Sequence, residues 1–185
     1  MKNFIVLDIE TTGLNPTKHA MLALGAVDYA TGEEFYGECR IDSHREIDPE
    51  ALVINGFTEA QCRDETKDTS VQLYLKFLEW SQNRSNLLAG QQIGSFDVKF
   101  LQDIHEHLPP GQSPFSAAPW PFGHRSIDLH SVAFAKFGKS LKLNEILVEC
   151  GLEPESDIHN ALNGAKLERD CFKILLPKRF KVKKV

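Results

Sequence analysis

A short apolar run that ends in two carboxylates is the feature that most restricts how this chain can fold. Residues 4–7 are apolar and too few to make a helix, so they predict a buried strand. Asp8 and Glu10 follow at its end and project from the same face, because side chains alternate along a strand. Two carboxylates this close must share a cation or have one pKa raised. Such oxygen ligands suit Mg²⁺ or Mn²⁺, and Gly13 allows a sharp turn beside them.

The pattern along the rest of the chain predicts a mixed sheet covered by helices. Residues 21–29 and 35–41 predict two further strands joined by a turn at 30–33, which makes three antiparallel strands. The helices are predicted at residues 71–82, 96–107, 129–137, 141–150 and 159–176, with a short one headed by Thr58. Residues 87–90 and 126–129 alternate with helices and predict two parallel strands. The expected class is α/β, a mixed five-stranded sheet flanked by helices.

The length and charge of the chain indicate one domain with a small polar site. Its 185 residues suffice for a single domain, expected over residues 1–176, with a loop at 109–121 and a basic tail at 177–185. The net charge of −5 disfavours wrapping of long duplexes, for which Lys and Arg must neutralise phosphates. A site that grips a strand end through metal ions stays compatible with this charge. The tail is either a frayed end or a nucleic-acid contact.

Cysteine usage and hydropathy predict a soluble, cytoplasmic protein. The 4 cysteines are scattered, with no C-x-x-C pair, which disfavours a structural zinc site and a disulfide framework. The N-terminal apolar run is too short for a signal peptide, and no stretch approaches the roughly 18 apolar residues of a membrane span. We therefore expect free thiols in a reducing compartment and no membrane partner.

Three ordered motifs give the chain a family resemblance. The first covers residues 4–14 and ends in T-T-G-L. The second covers residues 91–97 and ends at Asp97, and the third covers residues 159–165 and begins at His159. Together they resemble the motifs of the DEDDh, or DnaQ-like, 3′→5′ exonucleases of the ribonuclease-H-like superfamily. Shorter matches at residues 54–58, 127–128 and 143–147 extend the resemblance over essentially the whole chain.

The resemblance implies a hydrolase that uses two divalent ions, Mg²⁺ or Mn²⁺, to release nucleoside monophosphates from single-stranded DNA or RNA 3′ ends. It implies that Asp8 bridges both ions, that Glu10 binds the tighter one, and that Asp97 supports the site, largely through metal-bound water. It implies that His159 is the general base and that Leu14 wedges against the terminal base. The substrate-binding residues that it implies are Thr11, Thr12, Gly13, Leu14, Asn55 and Phe57.

The third motif departs from the family at one metal ligand. Relatives read H-x-A-x-x-D-A, and Gly164 stands where their aspartate binds metal. Asp157 and Glu168 are the nearby carboxylates that could replace it. Glu168 shares the helical face of Gly164, although reaching the same point would need a backbone shift, and Asn163 should point elsewhere. We expect Gly164→Asp to fit with little steric cost if the site is open.

Two functions from different classes stay open at this point. One is a metal-dependent 3′→5′ exonuclease weakened by the loss of a ligand, and the other is a non-catalytic module that binds nucleic-acid ends. A different phosphoryl-group hydrolase is a third possible function. A P-loop nucleoside triphosphatase is disfavoured because the chain has no G-x-x-x-x-G-K-[ST] loop. Gln92 and Ile93 replace the usual His-Asn of the second motif. The number of bound ions (two, one or none), the choice of DNA or RNA, the oligomeric state and any polymerase or repair partner are not fixed by the sequence.

Overall fold

The computed structural model describes residues 3–108 and 119–176, and within them the chain forms a six-stranded mixed sheet with helices on both faces. The strands are β1 Ile5–Thr11, β2 Met21–Asp28, β3 Glu34–Arg40, β4 Asp68–Thr69, β5 Leu88–Gly90 and β6 Ser126–Asp128. The helices are α1 Pro49–Asn55, α2 Glu59–Cys62, α3 Ser70–Ser81, α4 Asp97–Glu106, α5 Leu129–Phe137, α6 Leu143–Glu149 and α7 Ala161–Leu175. Most of the predicted loop and the whole basic tail lie outside the described residues.

The strand order β4-β3-β2-β1-β5-β6 confirms the predicted fold class. Strands β1, β2 and β3 are antiparallel, whereas β5 and β6 continue from β1 in parallel. Only the two-residue strand β4 was not expected, because its sequence is that of a helix cap. Thr69 fulfils both roles: its side chain accepts from the Gln72 backbone N–H at the start of α3, and its backbone pairs in parallel with Arg40.

The two faces of β1 are buried in different layers. Ile5, Leu7 and Ile9 pack against α3 and α4, whereas Phe4 and Val6 pack against α5, α6 and α7. This alternation continues to the end of the strand, so Asp8 and Glu10 face the same side as Val6. The carboxylates therefore lie on the face that α7 covers.

Helix α1 was not predicted, although its ends carry clear signals. Asp48 caps its first turn by accepting from the Glu50 backbone N–H, and Pro49 stands at the start. Gly56 ends it with φ +72°, in the left-handed region that glycine tolerates. The helix has only 7 residues and buries little, so periodicity does not reveal it.

No helix within the described ranges is long and apolar enough to cross a membrane. All 4 cysteines are free, and 3 of them are buried.

Candidate active site

An open pocket lies where β1 ends, and it collects residues from distant parts of the chain. It is lined by Asp8, Ile9, Glu10, Thr11, Gly13, Leu14, Ala51, Ile54, Asn55, Phe96 and His159. An adjoining depression shares Glu10, Asn55 and His159 with this pocket and adds Tyr36 and Phe57. Within the described part of the chain, neither lining includes a Lys or Arg. A phosphate-bearing ligand in this place would therefore depend on cations to offset its charge.

The close approach of α7 to the sheet brings the third motif onto Asp8. The antiparallel partner of Asp8 is Gly25 on β2, and a Cβ on that glycine would lie 2.2 Å from the backbone carbon of Ala161. Only a residue without a side chain allows the start of α7 to lie so close. Gly164 then stands against β1, where an added Cβ would be 2.1 Å from Asp8 Oδ2.

The Asp8 carboxylate thus occupies the space into which a side chain at position 164 would grow. A side chain introduced by Gly164→Asp would therefore meet Asp8, a contact that the sequence did not indicate. Either Asp8 must rotate or α7 must move away from the sheet. The clash is with the end of a side chain, so rotation of Asp8 is the smaller adjustment.

Asp97 of the second motif is joined to β1 by a hydrogen bond. It is buried in the first turn of α4, and its Oδ1 accepts from the Ile9 backbone N–H at 3.2 Å. Asp97 is thereby hydrogen-bonded to the residue that lies between Asp8 and Glu10 in the sequence. Burial raises its pKa to about 7, while the backbone donors at Asp97 and Ile9 act in the opposite direction.

His159 stands just before α7 and is partly exposed to the pocket. Its backbone N–H donates to the Ile54 carbonyl at 3.0 Å, which ties the third motif to α1. Its Nδ1 lies 3.8 Å from Glu155 Oε2, an ion-pair distance rather than a hydrogen bond. Glu155 is buried, and its backbone N–H donates to Asn144 Oδ1 at 2.9 Å.

Glu155 was missed by the sequence analysis. It lies in an irregular segment, where no periodicity marks it as buried. The available signals were its position four residues before His159 and the L-N-E-I-L segment that carries its partner, Asn144.

Glu168 is a second buried carboxylate on α7, one turn beyond Gly164. Its side chain is 2% exposed, and its Oε2 has no hydrogen-bond partner within the described ranges. A backbone N–H at Gln91 donates to the carboxylate. The unpaired Oε2 lies 3.2 Å from the point where a Cβ on Gly90 would stand, and that point is 2.7 Å from the Leu7 carbonyl oxygen. It is therefore placed beside β1, just before Asp8.

Five carboxylates act on one another around this end of β1. Enclosure by the protein raises the pKa of Asp8 well above its ordinary value, and the charges of Glu168, Asp97, Glu10 and Glu155 raise it further. The pKa of Glu10 is raised to about 8 by burial and by Glu155 and Asp97. Burial also raises the pKa values of Glu155 and Glu168. This is the behaviour of like charges brought together without a counter-ion.

The donor set suits a hard divalent cation. Every ionisable acid in the cluster offers oxygen, and Glu155 Oε1 and Glu168 Oε2 are buried without partners. Over residues 3–108 and 119–176, no three His, Cys, Asp or Glu side chains are already arranged to hold a metal ion. Binding would therefore require side-chain movement, and rotation of the Asp8 carboxylate beside Gly164 is one such movement.

The loop after β1 is fixed by hydrogen bonds to a buried side chain. Thr12 is fully buried, and its hydroxyl donates to the Glu46 carbonyl and accepts from the Ala20 backbone N–H. It does not line the pocket, unlike its neighbour Thr11, whose hydroxyl donates to the Gly13 carbonyl at 2.8 Å. Gly13 has φ +154°, and a Cβ there would meet the His19 ring at 2.6 Å.

The other residues expected to bind substrate lie along the pocket's edge. Leu14 is 79% exposed and projects from the loop. Asn55 is buried, with its amide donating to the Thr11 carbonyl and its Oδ1 accepting from the Phe57 backbone N–H. Phe57 is partly buried in the adjoining depression, with the Lys67 ammonium 4.9 Å from its ring centroid.

The departures from the motifs have different structural outcomes. Ile93 is fully buried in the core, so the apolar replacement has been absorbed into packing, whereas Gln92 is exposed with φ +54°. Asp157 is exposed and lines neither depression, so the structure does not bring it to the site. Asn163 is also exposed, as expected for another side of α7.

Comparison with known proteins shows that the chain belongs to a known family. The sequence model of a family described as exonuclease matches residues 5–167. The DNA polymerase III subunit epsilon of Buchnera aphidicola is 34% identical over 106 residues, which are 52% of this chain and 40% of that protein. The 3′-5′ DNA exonuclease Cap18 of Escherichia coli is 26% identical over 181 residues, 93% of this chain and 90% of that one.

A solved structure shows the same fold. The zinc-bound complex of E. coli exonuclease I with single-stranded DNA superposes with a TM-score of 0.73 at 18% identity. The match covers 96% of this chain and 42% of exonuclease I, so the chain spans about two fifths of that protein, as it does of the polymerase subunit.

Proposed function

Because this chain belongs to the exonuclease family, whose model spans residues 5–167, we propose that it is a 3′→5′ exonuclease acting on single-stranded nucleic-acid ends. The observation that carries the proposal is the meeting of three distant segments at one open pocket. Asp8 and Glu10 come from β1 and His159 from just before α7, and the second motif reaches the pocket through Phe96. Asp97, the next residue, does not line the pocket and is joined to β1 by the hydrogen bond from the Ile9 backbone N–H. The products would be nucleoside monophosphates, and the domain would be residues 1–176.

The site is proposed to use Mg²⁺ or Mn²⁺, held by Asp8 and Glu10 and supported by Asp97. A divalent cation, when bound, would neutralise the scissile phosphate and polarise the attacking water. The donor set fits this role, because it consists of oxygens that repel one another, and among the described residues no Lys or Arg lines the pocket. Exonuclease I was solved with zinc, which supports a divalent ion as the cofactor class.

His159 is proposed as the general base. Its side chain is 43% exposed, so it can both reach a ligand in the pocket and pass a proton to solvent. The Glu155 carboxylate, 3.8 Å from Nδ1, would help to orient the imidazole ring. Leu14 would pack against the terminal base, with Thr11, Gly13, Asn55 and Phe57 lining the strand's path, whereas the buried Thr12 would hold the loop.

The substrate is proposed to be the 3′ end of single-stranded DNA or RNA. DNA as the substrate is supported by the complex of exonuclease I with single-stranded DNA, and also by the similarity to the DNA exonuclease Cap18. Similarity to a polymerase III subunit supports a polymerase as a partner for this chain. A cytoplasmic location is part of the same proposal and agrees with the free thiols.

A non-catalytic module that binds strand ends is the second candidate. Gly164 favours it, since this residue offers no side-chain ligand at a position that resembles a metal-binding one. The two candidates share the pocket and Leu14 and differ only in whether the bond is cleaved.

A degradation assay separates them. Single strands of DNA and RNA labelled at the 5′ end are incubated with the parent, with Asp8→Asn and with Asp157→Asn, in Mn²⁺ and in EDTA. We expect 3′ shortening by the parent and by Asp157→Asn only in Mn²⁺, and none by Asp8→Asn. Asp157 is the matched control, because it is an exposed carboxylate outside the pocket. Intact strands that are nevertheless retained by the parent would favour the binding module.

A further inference from the structure

Helix α7 carries a buried carboxylate, Glu168, with one oxygen that has no hydrogen-bond partner in the part of the chain that the structure describes. From its position we propose that Glu168 is the cation ligand that replaces the missing side chain at position 164. The inference rests on the proposed metal-dependent function and assigns one more residue to it.

The placement of Glu168 supports this role. Positions 164 and 168 are about one helical turn apart on the same face of α7, about 6 Å along the axis. Gly164 lies against Asp8, and a glutamate is one methylene longer than the aspartate it would replace. Asp8 Oδ2 leans into the space beside Gly164, on the side of the helix that carries Glu168.

The unpaired oxygen of Glu168 distinguishes a ligand from a structural anchor. The Gln91 backbone N–H lowers the pKa of the carboxyl group, but Oε2 has no hydrogen-bond partner within residues 3–108 and 119–176. Oε2 is buried beside β1, and an unsatisfied buried polar atom is costly. A divalent cation shared with Asp8 would offset that cost.

The other carboxylates near the third motif do not fit as well. Asp157 is exposed, so water can satisfy its oxygens without a cation. Glu155 is buried but faces His159 at 3.8 Å, so it is placed to act on the base. Of the neighbouring charges, that of Glu168 acts most strongly on Asp8.

The test measures Mn²⁺ binding rather than cleavage. Mn²⁺ is titrated by calorimetry into the parent, Glu168→Gln and Asp170→Asn, and melting temperatures are recorded in EDTA and in Mn²⁺. Asp170 is the matched control, since it is a half-exposed carboxylate on the same helix, 3.8 Å from Lys173. We expect Glu168→Gln to weaken Mn²⁺ binding on the order of 100-fold, as first-shell losses should at least match outer-shell ones. Asp170→Asn should bind as the parent does.

The melting data give a second signature. In EDTA, Glu168→Gln should melt at or above the parent temperature, because one of several repelling charges is removed. In Mn²⁺ it should lose the rise that the parent shows. A merely structural glutamate would lower the melting temperature in EDTA and leave the Mn²⁺-dependent rise intact.

A double variant tests whether the ligand has moved along the helix. Gly164→Asp combined with Glu168→Gln returns the carboxylate to position 164 and should recover Mn²⁺ affinity to within about 10-fold of the parent. Glu168→Met, of similar volume, repeats the single-variant test if the Gln variant does not fold. Parent-like Mn²⁺ affinity in a folded Glu168 variant overturns the inference while leaving the exonuclease proposal intact. A parent that binds no Mn²⁺ overturns both.

Discussion

The Asp8 carboxylate occupies the space that a side chain at Gly164 would need: a Cβ on the glycine would stand 2.1 Å from Asp8 Oδ2. The carboxylate therefore keeps its present position only while residue 164 has no side chain. This relationship connects the loss of the third-motif aspartate to the position of the first-motif one. It also makes the effect of a substitution at one residue depend on the other.

We predict that Gly164→Ala destabilises the parent, although alanine normally stabilises a helix interior by about 1 kcal/mol over glycine. The added methyl group displaces the Asp8 carboxylate, and overpacking of this kind costs about 1–3 kcal/mol. In an Asp8→Ala background the obstructing oxygens are gone, and Gly164→Ala should stabilise by up to about 1 kcal/mol. Urea unfolding in EDTA of the four proteins measures the coupling. Equal effects in both backgrounds would contradict the contact.

The stability of the metal-free protein should fall as pH rises from about 4 to about 8. Glu10 and Asp97 have folded-state pKa values of about 8 and about 7, above the ordinary 4.5 and 3.8. The folded state therefore holds more protons than the unfolded state between these values, and its stabilisation is lost as pH rises through the folded pKa. Melting in EDTA at several pH values measures the slope.

Two comparisons check that this slope comes from the carboxylate cluster. Glu10→Gln should flatten it, whereas Glu50→Gln, an exposed carboxylate in the first turn of α1, should not. Saturating Mn²⁺ should raise the melting temperature most at pH 8, where the carboxylates are ionised. A Mn²⁺-dependent rise that is larger at pH 5 than at pH 8 would contradict the assignment.

Much of the fold could be predicted because β1, β2 and β5 are mainly buried apolar runs. Strand β3 is mostly not buried, and its prediction depended on the turn that precedes it. The motif carboxylates could also be placed, since Asp8 and Glu10 follow such a run and alternate on one face. The short elements could not: α1 buries one residue, and β4 is two residues that also form a helix cap. Their existence depends on tertiary contacts rather than on a local pattern.

Contacts between distant segments could not be predicted from the sequence, because they too depend on tertiary structure. Glu155 is buried because Asn144, 11 residues earlier, holds its backbone, and nothing in its own segment indicates this. The obstruction at Gly164 depends on how closely α7 lies on β2, which Gly25 permits. Glu168 could be suggested from helical spacing, but only the structure shows that one of its oxygens has no partner.

Leu14 should contribute to strand-end binding and not to folding. It is 79% exposed, so Leu14→Ala should change the free energy of unfolding by less than about 0.5 kcal/mol. If it packs on the terminal base, the same change should weaken binding of a single strand on the order of 10-fold, since burying a Leu side chain is worth about 1.5–3 kcal/mol. Val53→Ala is the matched control, because Val53 is equally exposed at 79% but does not line the pocket. Fluorescence anisotropy with a labelled oligonucleotide in Ca²⁺, without turnover, measures both variants.

Glu155 should act on catalysis through His159. His159→Ala should lower kcat by about 10²- to 10⁴-fold without changing Mn²⁺ affinity, as expected when a general base is lost. Glu155→Gln keeps the shape of the side chain but removes the charge 3.8 Å from Nδ1, so we expect a smaller loss of kcat, on the order of 10-fold, with KM unchanged. Asp157→Asn removes an exposed carboxylate two residues before His159 and should leave kcat as in the parent. If Glu155→Gln and Asp157→Asn give the same kcat, Glu155 is a buried structural acid and His159 works without it.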